Sequence, residues 1–202
     1  IKEESVMSWV ISGQKSSLTS DASSGQKNVE VEDANIFKEG WYVTIRDNNA
    51  SETNQISSIS GNTLTMVNDL SNTYTVAADA EVIVVGEITL PVNPRKVTLK
   101  YPAYVKEINI PGGAPYVISF GKKSTVMNVE GIIFEAGKTA SDLEEDYLIP
   151  LERMVHMLVT VSAPDSRYDG NWVLNSFSYE ERGGVVRAFR YKMTFVKGGT
   201  HI

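Results

Sequence analysis

Between Val185 and Val196 the chain reads VVRAFRYKMTFV, and from Phe189 onward large apolar and polar side chains alternate strictly. Phe189, Tyr191, Met193 and Phe195 fall on one side of an extended strand, and Arg190, Lys192 and Thr194 on the other. A helix would scatter both sets around its circumference, so a half-buried strand is the element that satisfies them. One dry and one wet face is the habit of antiparallel sheets. The preceding segment, NWVLNSFSYEE, is followed by Arg182-Gly183-Gly184 and reads as the hairpin partner. We read the aromatics as a core stripe, since buried aromatics supply large apolar area.

The rest of the chain repeats this texture. NVEVED, WYVTIRD, NQISSIS, TLTMV and AEVIVVG are short β-type runs bounded by turn residues, with Gly61-Asn62 as a two-residue hairpin signal. Five such runs in so short a span, with almost no helical spacing, predict a small closed or nearly closed barrel. Ahead of them SLTSDASSGQKN (17–28) reads as a polar loop or linker. Near residue 87 the texture changes. EITLPVNPRKVTLKYP carries Pro91, Pro94 and Pro102, which suit edge strands or a connector better than a central strand. AYVKEINI, PYVISFG, STVMNVEGIIFE and LVTVSAP read as further strands.

A single helix stands out, TASDLEEDYLIPLERMVHMLV, placed near 142–158. Ser141 with Glu144 reads as a capping box, and Asp142, Glu144 and Glu145 load the first turn with negative charge. Leu143, Tyr147, Leu151, Met154, Val155 and Leu158 share a face at a period of 3.6. Pro150 predicts a break at Ile149-Pro150, because it removes a donor and crowds the preceding turn.

Chemistry-bearing patterns are sparse. There is no cysteine, which excludes disulfides, thiolate metal sites and cysteine nucleophiles. Of the two histidines, His156 is read on the helix and His201 next to the last position. Neither accompanies a nucleophile elbow. The carboxylate groups Glu144-Glu145-Asp146, Asp165 with Asp169, and Glu180-Glu181 are assigned to a cap, a turn and a hairpin approach. The oxygen-rich stretch from Arg46 to Glu52 lacks the glycine and glutamate of a calcium loop and reads as a turn. Residues 16–86 hold three basic and ten acidic residues, net −7, whereas 87–202 hold fourteen and thirteen, net +1. Neither half carries the basic patch that a phosphate backbone requires, so nucleic-acid recognition is not expected. No apolar run reaches membrane-spanning length, and the first residues lack the basic-then-apolar layout of a secretory signal. No enzyme activity, metal or cofactor is expected.

Two segments resemble tail and baseplate proteins of tailed bacteriophages and related viruses. In INIPGGAPYVISFGKKSTVMNVEGIIF (108–134) the matching pieces are Pro111-Gly112, Gly121-Lys122-Lys123 and Val129-Glu130-Gly131-Ile132. YDGNWVLNSFSYEERGGVVRAFRYKMTFVK (168–197) is similar to the closing hairpin of the same domain. Residues 28–86 resemble small β-barrel inserts of tail proteins. The resemblance implies a mainly β fold: an antiparallel β-sandwich or barrel of the tail-tube or distal-tail kind with one flanking α-helix. Residues 1–16 and 87–202 would form it, and 17–86 would be an inserted small acidic β-barrel. It further implies a structural virion component, made in the host cytoplasm and placed in the tail tube, tail tip or baseplate. The expected partners are other tail or baseplate proteins and copies of the chain itself in a homo-oligomeric ring, a hexamer among the options, with no membrane partner. Expected subunit contacts lie at Pro111, Gly112 and Gly113 and at Ala136, Gly137 and Lys138. The alternative is a carbohydrate-binding β-sandwich module of an adhesin or enzyme, with Trp9, Trp41, Trp172, Tyr74 and Tyr168 as platform candidates.

Overall fold

The computed structural model describes residues 8–108, 116–122, 124–182 and 188–197. The first strand is β1 (Val10–Gly13). Then come β2 (Lys15–Ser17), β3 (Asn28–Glu30), β4 (Tyr42–Arg46), β5 (Ser51–Ser60), β6 (Thr63–Met66) and β7 (Glu81–Val84). β8 (Glu87–Thr89), β9 (Lys96–Lys100), β10 (Ala103–Ile108), β11 (Tyr116–Lys122) and β12 (Thr125–Ile133) follow. A helix, α1 (140–153), precedes β13 (Leu158–Ser162), β14 (Gly170–Arg182) and β15 (Ala188–Lys197). The fold is mainly β, as the alternation predicts. All strand pairs are antiparallel.

Seven strands form one sheet in the order β8-β1-β13-β14-β15-β12-β9. The proline-flanked strands β8 and β9 are its two edges, where a missing ladder donor costs least. Phe189, Tyr191, Met193 and Phe195 of β15 are buried, while Arg190 and Lys192 on the alternate positions are exposed. The aromatic stripe is therefore core. It packs with Trp9, Ile11, Met127, Val129, Val159, Val161 and Trp172 beneath Leu143, Leu148, Leu151 and Met154 of α1. The helix covers this face alone.

Six strands form the second sheet, β2-β7-β4-β5-β6-β3, entirely from residues 15–84. It curls until its edges meet. Leu18 and Val31, just beyond β2 and β3, form an isolated bridge. The Thr19 N–H donates to the Glu30 carbonyl at 3.0 Å and the Glu32 N–H to the Ser17 carbonyl at 2.9 Å. Its own core holds Leu18, Val29, Val31, Phe37, Val43, Ile45, Ile56, Leu64, Met66, Tyr74, Val82 and Val84. The stretch 17–28, expected as a linker, is barrel wall instead. Its few apolar side chains, Leu18 and Ala22, are both buried, and Ala22 bridges Tyr74.

β1 and β8 pair with each other, Ser12 opposite Glu87, so the chain leaves the seven-stranded sheet after Gly13 and rejoins it at Glu87. The crossing is tight: a Cβ on Gly13 would lie 1.8 Å from the Val84 carbonyl oxygen. Val85 packs against both cores, and the Arg153 guanidinium of α1 sits 4.1 Å from the Tyr42 ring of β4. β10 and β11 pair as a separate two-stranded sheet.

The helix departs from its expected form in three ways. Its cap is Thr139, not Ser141: Thr139 Oγ1 accepts from the Asp142 N–H at 3.2 Å, and the Thr139 N–H donates to the Asp142 carboxylate at 2.7 Å. Pro150 produces no break. The segment Glu144–Leu148 widens to π geometry, with the Ile149 N–H donating to the Glu144 carbonyl, and Ile149–Arg153 resumes α geometry with Pro150 in its first turn. Pro150 thus occupies a position where a missing donor is tolerated. The helix ends at Arg153, short of residue 158. His156 takes φ +67, a conformation in which histidine is enriched, and its N–H donates to the Leu174 carbonyl at 2.6 Å. From there the backbone belongs to the sheet, and Leu158 lies 38% exposed on its outer side.

Candidate functional site

Asp47, Asp165, Asp169 and Glu180 are engaged in structure. His156 lies in the turn after α1 rather than on it, and it is exposed. Asp165 caps a short 3-10 turn and pairs with Arg167. The Asp169 carboxylate accepts from the Ala163 N–H at 2.7 Å. Glu180 pairs with Arg190 across β14 and β15 at 3.3 Å. One Asp47 carboxylate oxygen accepts the N–H groups of Asn49 and Ala50, both at 2.8 Å, and these bonds hold its pKa below the usual carboxylate range. That oxygen-rich stretch is a hairpin turn. Among the described residues no three His, Asp or Glu side chains gather as a metal site, and no helix is long and apolar enough to cross a membrane.

The expected aromatic platform is not assembled. Trp9, Trp172 and Tyr74 are buried at 4%, 2% and 0% exposure, and Trp41 and Tyr168 pack at the margins of the two cores. The exposed platform that the alternative carbohydrate-binding reading needs is thus not formed by these rings.

Of the residues expected to contact other subunits, Pro111, Gly112 and Gly113 lie outside the described residues. Ala136 and Gly137 are exposed at the tip of the turn from β12 into α1, with Gly137 at φ +87. Lys138 is engaged within its own turn. Its ammonium pairs with Glu135 at 3.1 Å and Asp146 at 2.5 Å and lies 5.4 Å from the Tyr147 ring centre. These hydrogen bonds raise the Lys138 pKa. The Tyr147 hydroxyl donates to Glu135 at 2.7 Å, and burial with this bond pushes its pKa up to about 12. The four side chains clamp the turn so that Ala136 and Gly137 project from a fixed base. Gly121 and Lys122, pieces of the tail-like resemblance, are strand, since β11 continues to Lys122.

The face of the seven-stranded sheet opposite the core carries a shallow groove. Strand register sets the side chains of this face in rows. Val173, Val196 and Val126 lead to Lys100. Beside them run Ser176, Thr194, Asn128 and Thr98, with the Thr194 hydroxyl 3.1 Å from the Asn128 side-chain oxygen. Next come Ser178, Lys192, Glu130 and Lys96, then Glu180 and Arg190. A shallow groove of about 250 Å³ runs between Lys96, Lys100, Asn128, Glu130, Lys192 and Thr194. Lys96, Lys100 and Lys192 are exposed, and none forms an ion pair among the described residues. Alternation along β15 puts Lys192 on the polar side already in the sequence. The cross-strand pairing that brings the lysines of β9 and β15 together on either side of β12 is not legible in it.

No protein-family model matches the chain, and no curated protein matches it. Among solved structures it is similar to the Gp54 tailspike of Acinetobacter baumannii bacteriophage AP22, in complex with A. baumannii capsular saccharide, with 20% identity and a TM-score of 0.33. The match covers 40% of this chain and 15% of the tailspike chain, and at this TM-score it carries no argument about fold or function.

Proposed function

We propose that this protein is a structural component of a viral tail, assembling with copies of itself into a ring at the tail tube, tail tip or baseplate. One observation carries the reading. The second half of the first tail-like segment, β12, and both strands of the second, β14 and β15, lie in one sheet, because β12 and β14 both hydrogen-bond to β15. Two separate resemblances thus converge on adjacent strands of one sheet. The engagement of Asp47, Asp165, Asp169 and Glu180 in caps, turns and an ion pair is consistent with a scaffold. The turn at Ala136 and Gly137, held by the Lys138 clamp, is assigned as one subunit contact.

Size exclusion with light scattering, followed by negative-stain imaging of the same fraction, tests this. The expected result is a defined oligomer that images as closed rings or stacked tubes. A monomer at every concentration, with or without tail partners added, overturns it.

A further inference from the structure

The molecule is electrically divided in a way its total charge conceals. Residues 15–84, the curled sheet, hold four basic and ten acidic residues, net −6. Glu30 and Glu32 alternate with the buried Val29 and Val31, so both point outward, and the exposed Asp33 follows. None of the three forms an ion pair among the described residues. Among the described residues the Glu30 carboxylate accepts only from the Ser20 hydroxyl, at 3.0 Å, and the Asp33 carboxylate only from Asn35 of its own turn. On the outer face of the other sheet Lys96, Lys100 and Lys192 surround the single carboxylate of Glu130, beside a row of half-buried valines.

We infer that the outer face of the seven-stranded sheet is the docking surface for the acidic curled sheet of a second copy, with Lys96, Lys100 and Lys192 meeting Glu30, Glu32 and Asp33. This rests on the assembly reading above and names its surfaces. Opposed patches of unpaired charge steer encounter and fix register, while the valine row and the hydroxyl row supply area and hydrogen bonds. The contact joins different surfaces of two copies, as a head-to-tail chain requires, and such a chain closes into a ring when the rotation allows. Lysines on the edge strand β9 also deter strand addition, but that role predicts no dependence on the acidic triad.

Two charge-reversed proteins test the inference. One carries Lys96→Glu, Lys100→Glu and Lys192→Glu; the other carries Glu30→Lys, Glu32→Lys and Asp33→Lys. All six positions are exposed, and circular dichroism and thermal melts check that both proteins fold as the wild type does. Sedimentation velocity and negative staining at low and high salt then compare each alone, the equimolar mixture and the wild type. Each variant alone is expected to self-associate at least tenfold more weakly than wild type. The mixture is expected to regain assembly, because each variant's sheet face now faces the opposite charge on the other's curled sheet. High salt is expected to weaken the wild-type contact. Wild-type assembly that both variants retain in full overturns this docking surface and leaves the tail reading standing. Variants that fail alone and also fail when mixed overturn it too. A wild-type protein that never assembles overturns both.

Discussion

Tyr191 lies fully buried in the larger core with a hydroxyl that has no partner among the described residues, and burial raises its pKa. Its ring covers Gly131, directly opposite on β12, where a Cβ would fall 2.5 Å from the hydroxyl oxygen. An unpartnered buried hydroxyl costs stability. Tyr191→Phe should therefore raise the unfolding free energy by about 1 kcal/mol, read from urea midpoints. Gly131→Ala should lower it by about 1–3 kcal/mol through overpacking. Part of that loss should vanish in the Tyr191→Phe background, since the two sites touch. Glu81 gives the pH dependence. Burial opposes its charge, but hydrogen bonds from Lys15 and Arg46, with salt-bridge distances of 2.8 and 2.7 Å, outweigh burial and hold its pKa below the ordinary 4.5. Its folded carboxyl is more acidic than its unfolded one, so its stabilisation is complete above the unfolded value and is lost as the pH falls through the folded one. Glu81→Gln should cost about 1 kcal/mol at pH 7, and the gap from wild type should close in titrations carried to pH 3.

At the scale of elements, the helix depends on Thr139. Thr139→Ala removes one half of the capping box and should cost about 1 kcal/mol, measured by thermal melts, whereas Ser141→Ala should cost little because the structure gives Ser141 no cap role. The sequence favoured Ser141 because Ser-x-x-Glu is the commoner spelling of the same motif. Thr139-x-x-Asp142 forms the cap two residues earlier, with the shorter carboxylate still reaching the backbone. The period of 3.6 was legible through Met154 and misled beyond it: Leu158 continues the count by chance, but its backbone already pairs with Val173 of β14. β2 was illegible, since Lys-Ser-Ser has no apolar alternation and becomes a strand only because β7 offers it a ladder. The aromatic alternation of β15 was fully legible, because it is local and strict. The basic patch was not, because it exists only after β9, β12 and β15 are brought side by side.

At the scale of the whole molecule, two cores meet along a narrow seam formed by Gly13, Val85, Tyr42 and Arg153. Gly13→Ala drives a methyl into the Val84 carbonyl and should cost about 3 kcal/mol or more, as a drop in melting temperature. Because β1 and β8 are hydrogen-bonded neighbours, the chain also permits a cleaner division. Joining Gly13 to Glu87 through a short turn should leave a seven-stranded sheet that folds and keeps its near-ultraviolet dichroism, at reduced stability. Failure of that shortened chain to fold would make the curled sheet part of the fold rather than a unit carried on it.

If this chain is built into a viral tail, as proposed, quantitative mass spectrometry of purified particles from a virus or prophage carrying its gene decides the matter. The account predicts the chain at many copies per particle, in a fixed ratio to the other tail proteins, retained in tails separated from heads. Purified, infectious particles that lack it would contradict the account.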